Sequence, residues 1–314
     1  MNFSALLGTV ATIFLLLATG FVLRKLRIID DAFSKGLSAL IIKVGQPFMI
    51  INSLIKCEYT QENLKLGFSV LALSFAMHAG LSLYAYLAVI KYKNLDEKKI
   101  SEMSMIFANC GFVGIPIAES LFGPIGGFLC AFYCVPFQVF VWTWGIVILS
   151  RKRDDIKIKI KNIFINFGTI PSVIGIALYA STIQMPEFFV SFTGYLGSLC
   201  TPVSLIITGA LVAQCTPREL LANPKTYYIC LHKLLLLPAV SALVLTLLGL
   251  SEMLVIFGTL MAAMPCASVV TMLCELHSIK PRFAAVSVGV SSILSVVTIP
   301  ISVKFAQILI GLIR

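Results

Sequence analysis

Charged residues are scarce in this sequence. Only 12% of its 314 residues are Asp, Glu, Lys or Arg, whereas 59% are hydrophobic, and the mean hydropathy is +0.98. This balance lies outside the range of soluble globular proteins. The composition therefore excludes a water-soluble domain and indicates a protein of the lipid bilayer.

Motifs of the common enzyme classes are also missing. The sequence has no Walker A, HExxH or nucleophile-elbow motif. Its nine cysteines lack the CxxC spacing and the paired histidines of a metal site, and most of them lie in apolar segments as small hydrophobic residues do. We therefore predict neither an enzyme nor a cofactor or metal site.

What the sequence has instead is long uncharged runs, each able to cross about 30 Å of hydrocarbon. The N-terminal run has no basic region ahead of it, and we interpret it as a retained first span rather than a signal peptide. We predict an all-α integral membrane protein with ten transmembrane helices, at residues 4–23, 36–55, 66–90, 101–123, 126–149, 164–183, 188–213, 226–249, 252–274 and 284–311.

Basic residues divide unevenly between the loops. Ten spans place most of them on one face, in the segments 24–35, 91–99, 151–161, 218–225 and 280–282. The other face holds Lys56, Lys65 and Arg314. By the positive-inside rule, the protein is predicted to lie in the plasma or inner membrane with both termini outside. The net charge of +10 then reflects orientation, and no nucleic-acid partner is predicted.

Ten spans divide into two sets of five. Residues 1–150 would form the first repeat, 151–163 a basic cytoplasmic linker, and 164–314 the second repeat. Because five is odd, the second repeat begins on the opposite face and is inverted. Prolines support the division, since Pro47 and Pro202 fall at the same depth in spans two and seven, while Pro116 and Pro265 interrupt spans four and nine.

The stretch "ANCGFVGIPIAES" (108–120) interrupts span four. Gly111 and Gly114 permit non-helical backbone, and Pro116 suits the first turn of a new half-helix. Pro265 repeats this break in span nine. Freed backbone groups require a polar pocket, and two half-helix N-termini meeting there favour a carboxylate or another small anion. The alternative is a pair of proline kinks that only adjust helix packing.

Polar and ionisable residues near the breaks are the remaining candidates. Gln46 and Thr201 each precede a matched proline and are predicted to bind substrate. Glu119, Glu275 and His78 are candidates for ion coupling. Their alternatives are a hydrogen-bonded structural carboxyl, a solvated helix end and an interhelical donor, respectively. Lys43 and Lys233 are expected to snorkel toward the nearer surface, although either could draw an anion inward.

These motifs resemble those of the auxin efflux carrier family. "NCGFVGIPIAESLFG" is similar to the signature of the first repeat and "MPCASVVTMLCELH" to its second-repeat counterpart, and "GQPFMIINSL" and "TPVSLIITGAL" extend the resemblance over nearly the whole chain. The missing central hydrophilic loop resembles the short prokaryotic members, some of which are malate or malonate permeases. The resemblance implies crossed, broken helices four and nine in a transport domain of spans 3–5 and 8–10. That domain would move against a scaffold of spans 1, 2, 6 and 7, through which members form homodimers.

The resemblance also implies a substrate site. Carried onto this sequence, the site comprises Asn109, Gly111, Gly114, Pro116, Met264, Pro265 and Cys266. Cys266 stands where plant carriers have glutamine, which argues against an auxin-like substrate. The predicted function is secondary transport of a small organic anion, either uncoupled or driven by protons or sodium.

Two other functions stay open. A crossed-helix cation antiporter would place acidic residues beside the crossing, yet the predicted spans contain no Asp. A sensor would bind an anion without moving it and pass a signal to a partner on the basic linker. It would therefore show saturable binding without flux.

Overall fold

The computed structural model describes residues 3–216, 219–220 and 223–313. Nearly all of these residues are helical, and the one β-type pairing among them is an isolated bridge between Ala108 and Cys266. The all-α class predicted from the sequence is confirmed. Arg218 and Arg314, which belong to the predicted charge distribution, lie outside the described residues.

Helices follow one another with short connections. In chain order they are α1 (Phe3–Lys25), α2 (Asp31–Ile55), α3 (Gln61–Ala88), α4 (Leu95–Ile106), α5 (Gly114–Phe122), α6 (Pro124–Ser150), α7 (Ile160–Phe164), α8 (Thr169–Ala180), α9 (Glu187–Gln214), α10 (Pro224–Leu247), α11 (Glu252–Ala263), α12 (Ser268–Leu276) and α13 (Pro281–Ile313).

Seven helices in the described part of the chain are long and apolar enough to cross a membrane: α1, α2, α3, α6, α9, α10 and α13. Their ends lie within about two turns of the predicted bounds. The other predicted spans are not single long helices. A break divides span four into α4 and α5 and span nine into α11 and α12, and span six corresponds to α8, which has 12 residues. The chain is thus a multi-pass membrane protein, while ten spans in two inverted repeats stay a prediction.

Close helix contacts depend on glycine. A Cβ atom on Gly20 of α1 would overlap the backbone of Ile206 in α9, and one on Gly209 of α9 would overlap the carbonyl of Leu17. Where α2 crosses α9, a Cβ on Gly197 would come 2.7 Å from the Cα of Met49. Such small residues let membrane helices approach backbone to backbone. Helices α1, α2 and α9 therefore pack as one tight group.

Prolines widen two helices locally. The π-helical turns Ile41–Gly45 in α2 and His232–Leu236 in α10 each end two residues before a proline, Pro47 or Pro238. Proline has no N–H, so the carbonyl four residues earlier loses its helical donor. For Pro238 that carbonyl is Leu234, which accepts a hydrogen bond from the Ser302 hydroxyl at 3.4 Å. The widened turns contain Lys43 and Lys233.

Ion pairs and hydrogen bonds join several helix junctions on one side of the molecule. Glu97 contacts two lysines, and Asp31 accepts from an arginine and a glutamine. The contacts are Glu97 with Lys225 and with Lys280 (2.7 Å), Glu219 with Arg282 (2.7 Å), and Asp31 with Arg24 (2.7 Å) and Gln214 (3.1 Å). We call this side the basic face. It gathers the α1–α2, α3–α4, α9–α10 and α12–α13 junctions, as the charge distribution predicts.

Candidate functional site: a cavity at two broken helices

The first break lies between α4 and α5. Phe107 leaves helical geometry with φ −89° and ψ 111°, and the chain becomes helical again at Gly114. The new helix is held by hydrogen bonds from Gly114 N to Asn109 O (3.0 Å) and from Ile115 N to Gly111 O (3.2 Å). Pro116 lies in its first turn, where a missing N–H costs nothing.

The second break lies between α11 and α12. Met264 has φ −60° and ψ 145°, Ala267 has φ −72° and ψ 139°, and the helix resumes at Ser268. Pro265 lies inside this extended segment. Proline disfavours helical geometry in the residue before it, which explains the extended Met264.

The two breaks pair with each other. Asn109 N donates to Pro265 O at 2.8 Å, and Ala267 N donates to Phe107 O at 2.9 Å, which forms the bridge between Ala108 and Cys266. We call the paired segments 107–113 and 264–267 the crossing. Backbone groups freed in lipid must find partners inside the protein, and here each break supplies partners for the other.

Neighbouring helices complete the crossing. The Cys266 amide donates to the Ser291 hydroxyl of α13 at 3.1 Å, and the Thr201 hydroxyl of α9 donates to Phe112 O at 3.0 Å. Both side chains therefore hold the backbone of the crossing in place.

Some amide groups at the crossing stay without an acceptor. Within the described residues, no hydrogen bond forms from the amides of Gly111 and Phe112 ahead of α5, or from those of Ser268 and Val269 at the start of α12. All four residues line one cavity. The first amides of a helix are unpaired donors and carry the positive end of its dipole. Two helix N-termini thus contribute to the same space.

This cavity has a volume of about 580 Å³ and reaches the basic face, where Asp31, Lys35 and Glu275 are exposed residues of its wall. Neutral polar side chains line much of the rest, and the hydroxyls of Ser34 and Thr271 have no partner among the described residues. The polar lining comprises Ser34, Ser38, Gln46, Asn109, Gln138, Asn166, Ser204, Thr208, Gln214, Ser268 and Thr271. A small polar molecule could therefore find both volume and hydrogen-bond partners here.

The structure brings together part of the predicted site. Gln46, Asn109, Gly111 and Glu275 line the cavity. The other predicted residues form the crossing behind it or support it: Gly114, Pro116, Met264, Pro265, Cys266 and Thr201.

Glu119 lies away from this cavity. Its carboxylate packs against Gly127 at the start of α6, and a Cβ added to Gly127 would overlap Glu119 Oε1. Glu275 is the glutamate that lines the cavity, as an exposed residue near the end of α12. Of these two coupling candidates, only Glu275 can therefore meet a molecule in the cavity directly.

His78 is buried in α3, at 1% exposure, and does not line the cavity. Its Nδ1 lies 2.8 Å from Ser74 O, and its ring packs against those of Tyr133, Phe137 and Phe140. Its Nε2 has no partner among the residues that the structure describes. These contacts fit a packed histidine on α3.

Sequence reasoning missed the burial of three charged side chains, Lys99, Glu102 and Lys233. Glu102 in α4 is fully buried and forms a two-point ion pair with Arg151, at 2.5 and 3.0 Å. Lys233 is also fully buried, so the snorkelling prediction is wrong for this residue, whereas Lys43 is exposed and its snorkelling stays a prediction. The isolated acidic residue in "ISEMSMIF" was a signal for Glu102. The partner of Glu102 lies 49 residues away, so no local pattern reveals it.

Comparison with known proteins gives the family. No curated protein matches this sequence. Residues 5–303 match the family described as membrane transport protein. This match spans nearly the whole chain, both breaks included, and agrees with the resemblance of the motifs. The chain therefore belongs to the membrane transport protein family, which is the auxin efflux carrier family.

Proposed function

We propose that this transporter carries a small organic anion, a carboxylate or dicarboxylate, through the cavity at the crossing. The observation that supports this most is the meeting of two helix N-termini at one cavity. There the amides of Gly111, Phe112, Ser268 and Val269 find no acceptor among the described residues. Each N-terminus is equivalent to roughly half a positive charge. Their unpaired N–H groups are the donors that a carboxylate requires.

The surrounding charges also support an anion. Among the described residues, the carboxylates that line the cavity are Asp31 and Glu275, both exposed toward the basic face. Asp31 is paired with Arg24, which reduces its repulsion of an incoming anion. A cation antiporter would be expected to place a carboxylate beside the crossing itself, and the residues of the crossing include none.

From the same geometry we also propose that transport occurs by alternating access. The cavity opens on the basic face, which the charge distribution assigns to the cytoplasm, so the structure would represent an inward-facing state. Movement of spans 3–5 and 8–10 against spans 1, 2, 6 and 7 would then carry the crossing toward the opposite face. Glu275 is the better candidate for proton coupling, because it lines the cavity and Glu119 does not.

The test is uptake by the purified protein in proteoliposomes. Labelled malate, malonate and an aromatic carboxylate would be offered with and without an inward proton gradient, to the wild type and to Glu275→Gln and Glu119→Gln. We expect uptake of a dicarboxylate, a gradient response that is lost in Glu275→Gln, and wild-type behaviour in Glu119→Gln.

Two results would contradict the proposal. Saturable binding of these anions without uptake would favour the sensor, and uptake of a cation in exchange for protons would favour the antiporter. Dicarboxylate uptake that does not respond to the gradient would support anion transport and exclude proton coupling.

A further inference from the structure

Lys233 is a buried cation for which the described residues provide no anionic partner. It lies in the π-helical turn His232–Leu236 of α10, and its exposed fraction is 0%. Within the described ranges, no carboxylate lies within ion-pair distance of its ammonium group. A charge buried in this way is costly unless other groups compensate it, and an ionisable residue inside a membrane is a candidate for function.

The ammonium contacts the end of the first half-helix of the crossing. Lys233 Nζ donates to Met105 O at 3.3 Å. Met105 is the last residue but one of α4, and the final carbonyls of a helix lack helical donors and carry the negative end of its dipole. Lys233 therefore compensates the carbonyl end of α4, just before the chain enters the break.

Other titratable groups near Lys233 do not replace a carboxylate. Those with which it interacts electrostatically are His78 of α3 and the thiols of Cys110 and Cys266 at the crossing. None of these three groups is a carboxylate. The carbonyl end of α4 is thus the main electrostatic partner that the described residues offer.

Lys233 lies in the widened turn that precedes Pro238. Because this proline has no N–H, the Leu234 carbonyl in the widened turn lacks its helical donor. It accepts a hydrogen bond from the Ser302 hydroxyl instead. Lys43 provides a natural comparison, because it also lies in a π-helical turn ahead of a proline but is exposed. The sequence context alone does not bury a lysine, and Lys233 is buried because its turn packs against α4, α11 and α13.

We propose that Lys233 is a built-in cation of the crossing, which takes the place of a bound sodium ion. In transporters with broken helices, half-helix carbonyl ends are where coupling cations bind. Here the ammonium occupies such an end, so transport proceeds without an alkali cation. This inference rests on the proposed function for its transport readout, and a stability readout tests it independently.

The transport experiment measures uptake of labelled malonate and malate in proteoliposomes, with sodium replaced by choline on both sides. We expect wild-type uptake to be unchanged, Lys233→Gln to lose at least tenfold, and Lys233→Arg to retain part of the uptake. Lys43→Gln is the matched control, since it removes an exposed lysine from the equivalent kind of turn, and it should transport like the wild type.

The stability experiment measures thermal unfolding in detergent with choline, sodium or lithium chloride. The glutamine of Lys233→Gln supplies an oxygen beside the Met105 carbonyl, so we expect sodium or lithium to raise the melting temperature of this variant and not that of the wild type. A merely structural lysine would not produce this new ion dependence.

Either of two results overturns the inference: sodium-dependent uptake or stability of the wild type, or a melting temperature of Lys233→Gln that responds to neither sodium nor lithium. If the wild type moves neither anion, the proposed substrate class fails, and the stability experiment still decides the role of Lys233.

Discussion

Asn109 joins both halves of the crossing through its backbone. Its amide donates to Pro265 O at 2.8 Å, its carbonyl accepts from Gly114 at 3.0 Å, and the residue also lines the cavity. The geometry of the crossing therefore depends largely on main-chain bonds. Side chains such as those of Gln46 and Thr271 add hydrogen-bond partners at the cavity wall.

Glu97 is the residue whose charge connects three junctions on the basic face. Hydrogen bonds from Lys225, which has the larger effect, and from Lys280 lower the pKa of Glu97 below its ordinary value of 4.5. A carboxyl whose pKa is lowered by folding stabilises the folded state at pH values above its ordinary pKa. This contribution is lost as the pH falls through the lowered pKa.

We therefore predict that Glu97→Gln lowers the free energy of unfolding by about 1 kcal/mol or less near pH 6, since these side chains are partly exposed. The difference from the wild type should disappear as the pH falls below 4.5. Thermal unfolding in detergent between pH 3 and pH 7 would measure it. A difference that grows at low pH would contradict this assignment.

At the scale of helices, α1 and α9 are held together by backbone contact at two glycines. Adding a methyl group at Gly209 forces it against the Leu17 carbonyl, which belongs to a helix and cannot move alone. We predict that Gly209→Ala destabilises the protein by about 1–3 kcal/mol, the usual cost of overpacking. A lowered melting temperature in detergent would show this.

Gly80→Ala is the matched control for that substitution. Gly80 lies in α3, and a Cβ there meets no atom of the described residues within 4 Å beyond its own turn of helix. Alanine also favours helix relative to glycine, so the control should match or slightly exceed the wild type in stability. Equal melting temperatures for the Gly209 variant and the control would show that α1 and α9 do not pack in this way.

At the scale of the whole molecule, the predicted orientation can be tested by thiol labelling. All nine native cysteines are buried, so an impermeant maleimide should react with them slowly. Lys157 lies in the basic linker and Gln184 lies between α8 and α9, and both residues are exposed. The variants Lys157→Cys and Gln184→Cys each place one reactive thiol at these positions. We predict that intact cells label the variant at position 184 alone, and that permeabilised cells label both.

Lys35→Cys extends this test to the mouth of the cavity. It should label only after permeabilisation, like the linker position, because Lys35 lies on the basic face and lines the cavity. The unmodified protein is the control for reaction at native cysteines. Labelling of position 157 in intact cells would reverse the predicted topology.

The sequence by itself determined the membrane class, the long spans and the positions of both breaks. These features depend on runs of apolar residues and on the local backbone preferences of glycine and proline, so they can be read over short distances along the chain. Even the two short halves of span nine could be predicted, because Pro265 marks their division.

Only the tertiary structure decided which polar residues share a cavity and which charges are buried. Asn109 meets Pro265, and Lys233 meets Met105, across separations of more than a hundred residues. Glu119 and Glu275 look alike as acidic residues in apolar surroundings, yet packing turns only Glu275 toward the cavity. Such pairings depend on how whole helices cross, because the burial of a side chain depends on its spatial neighbours and not on those beside it in sequence.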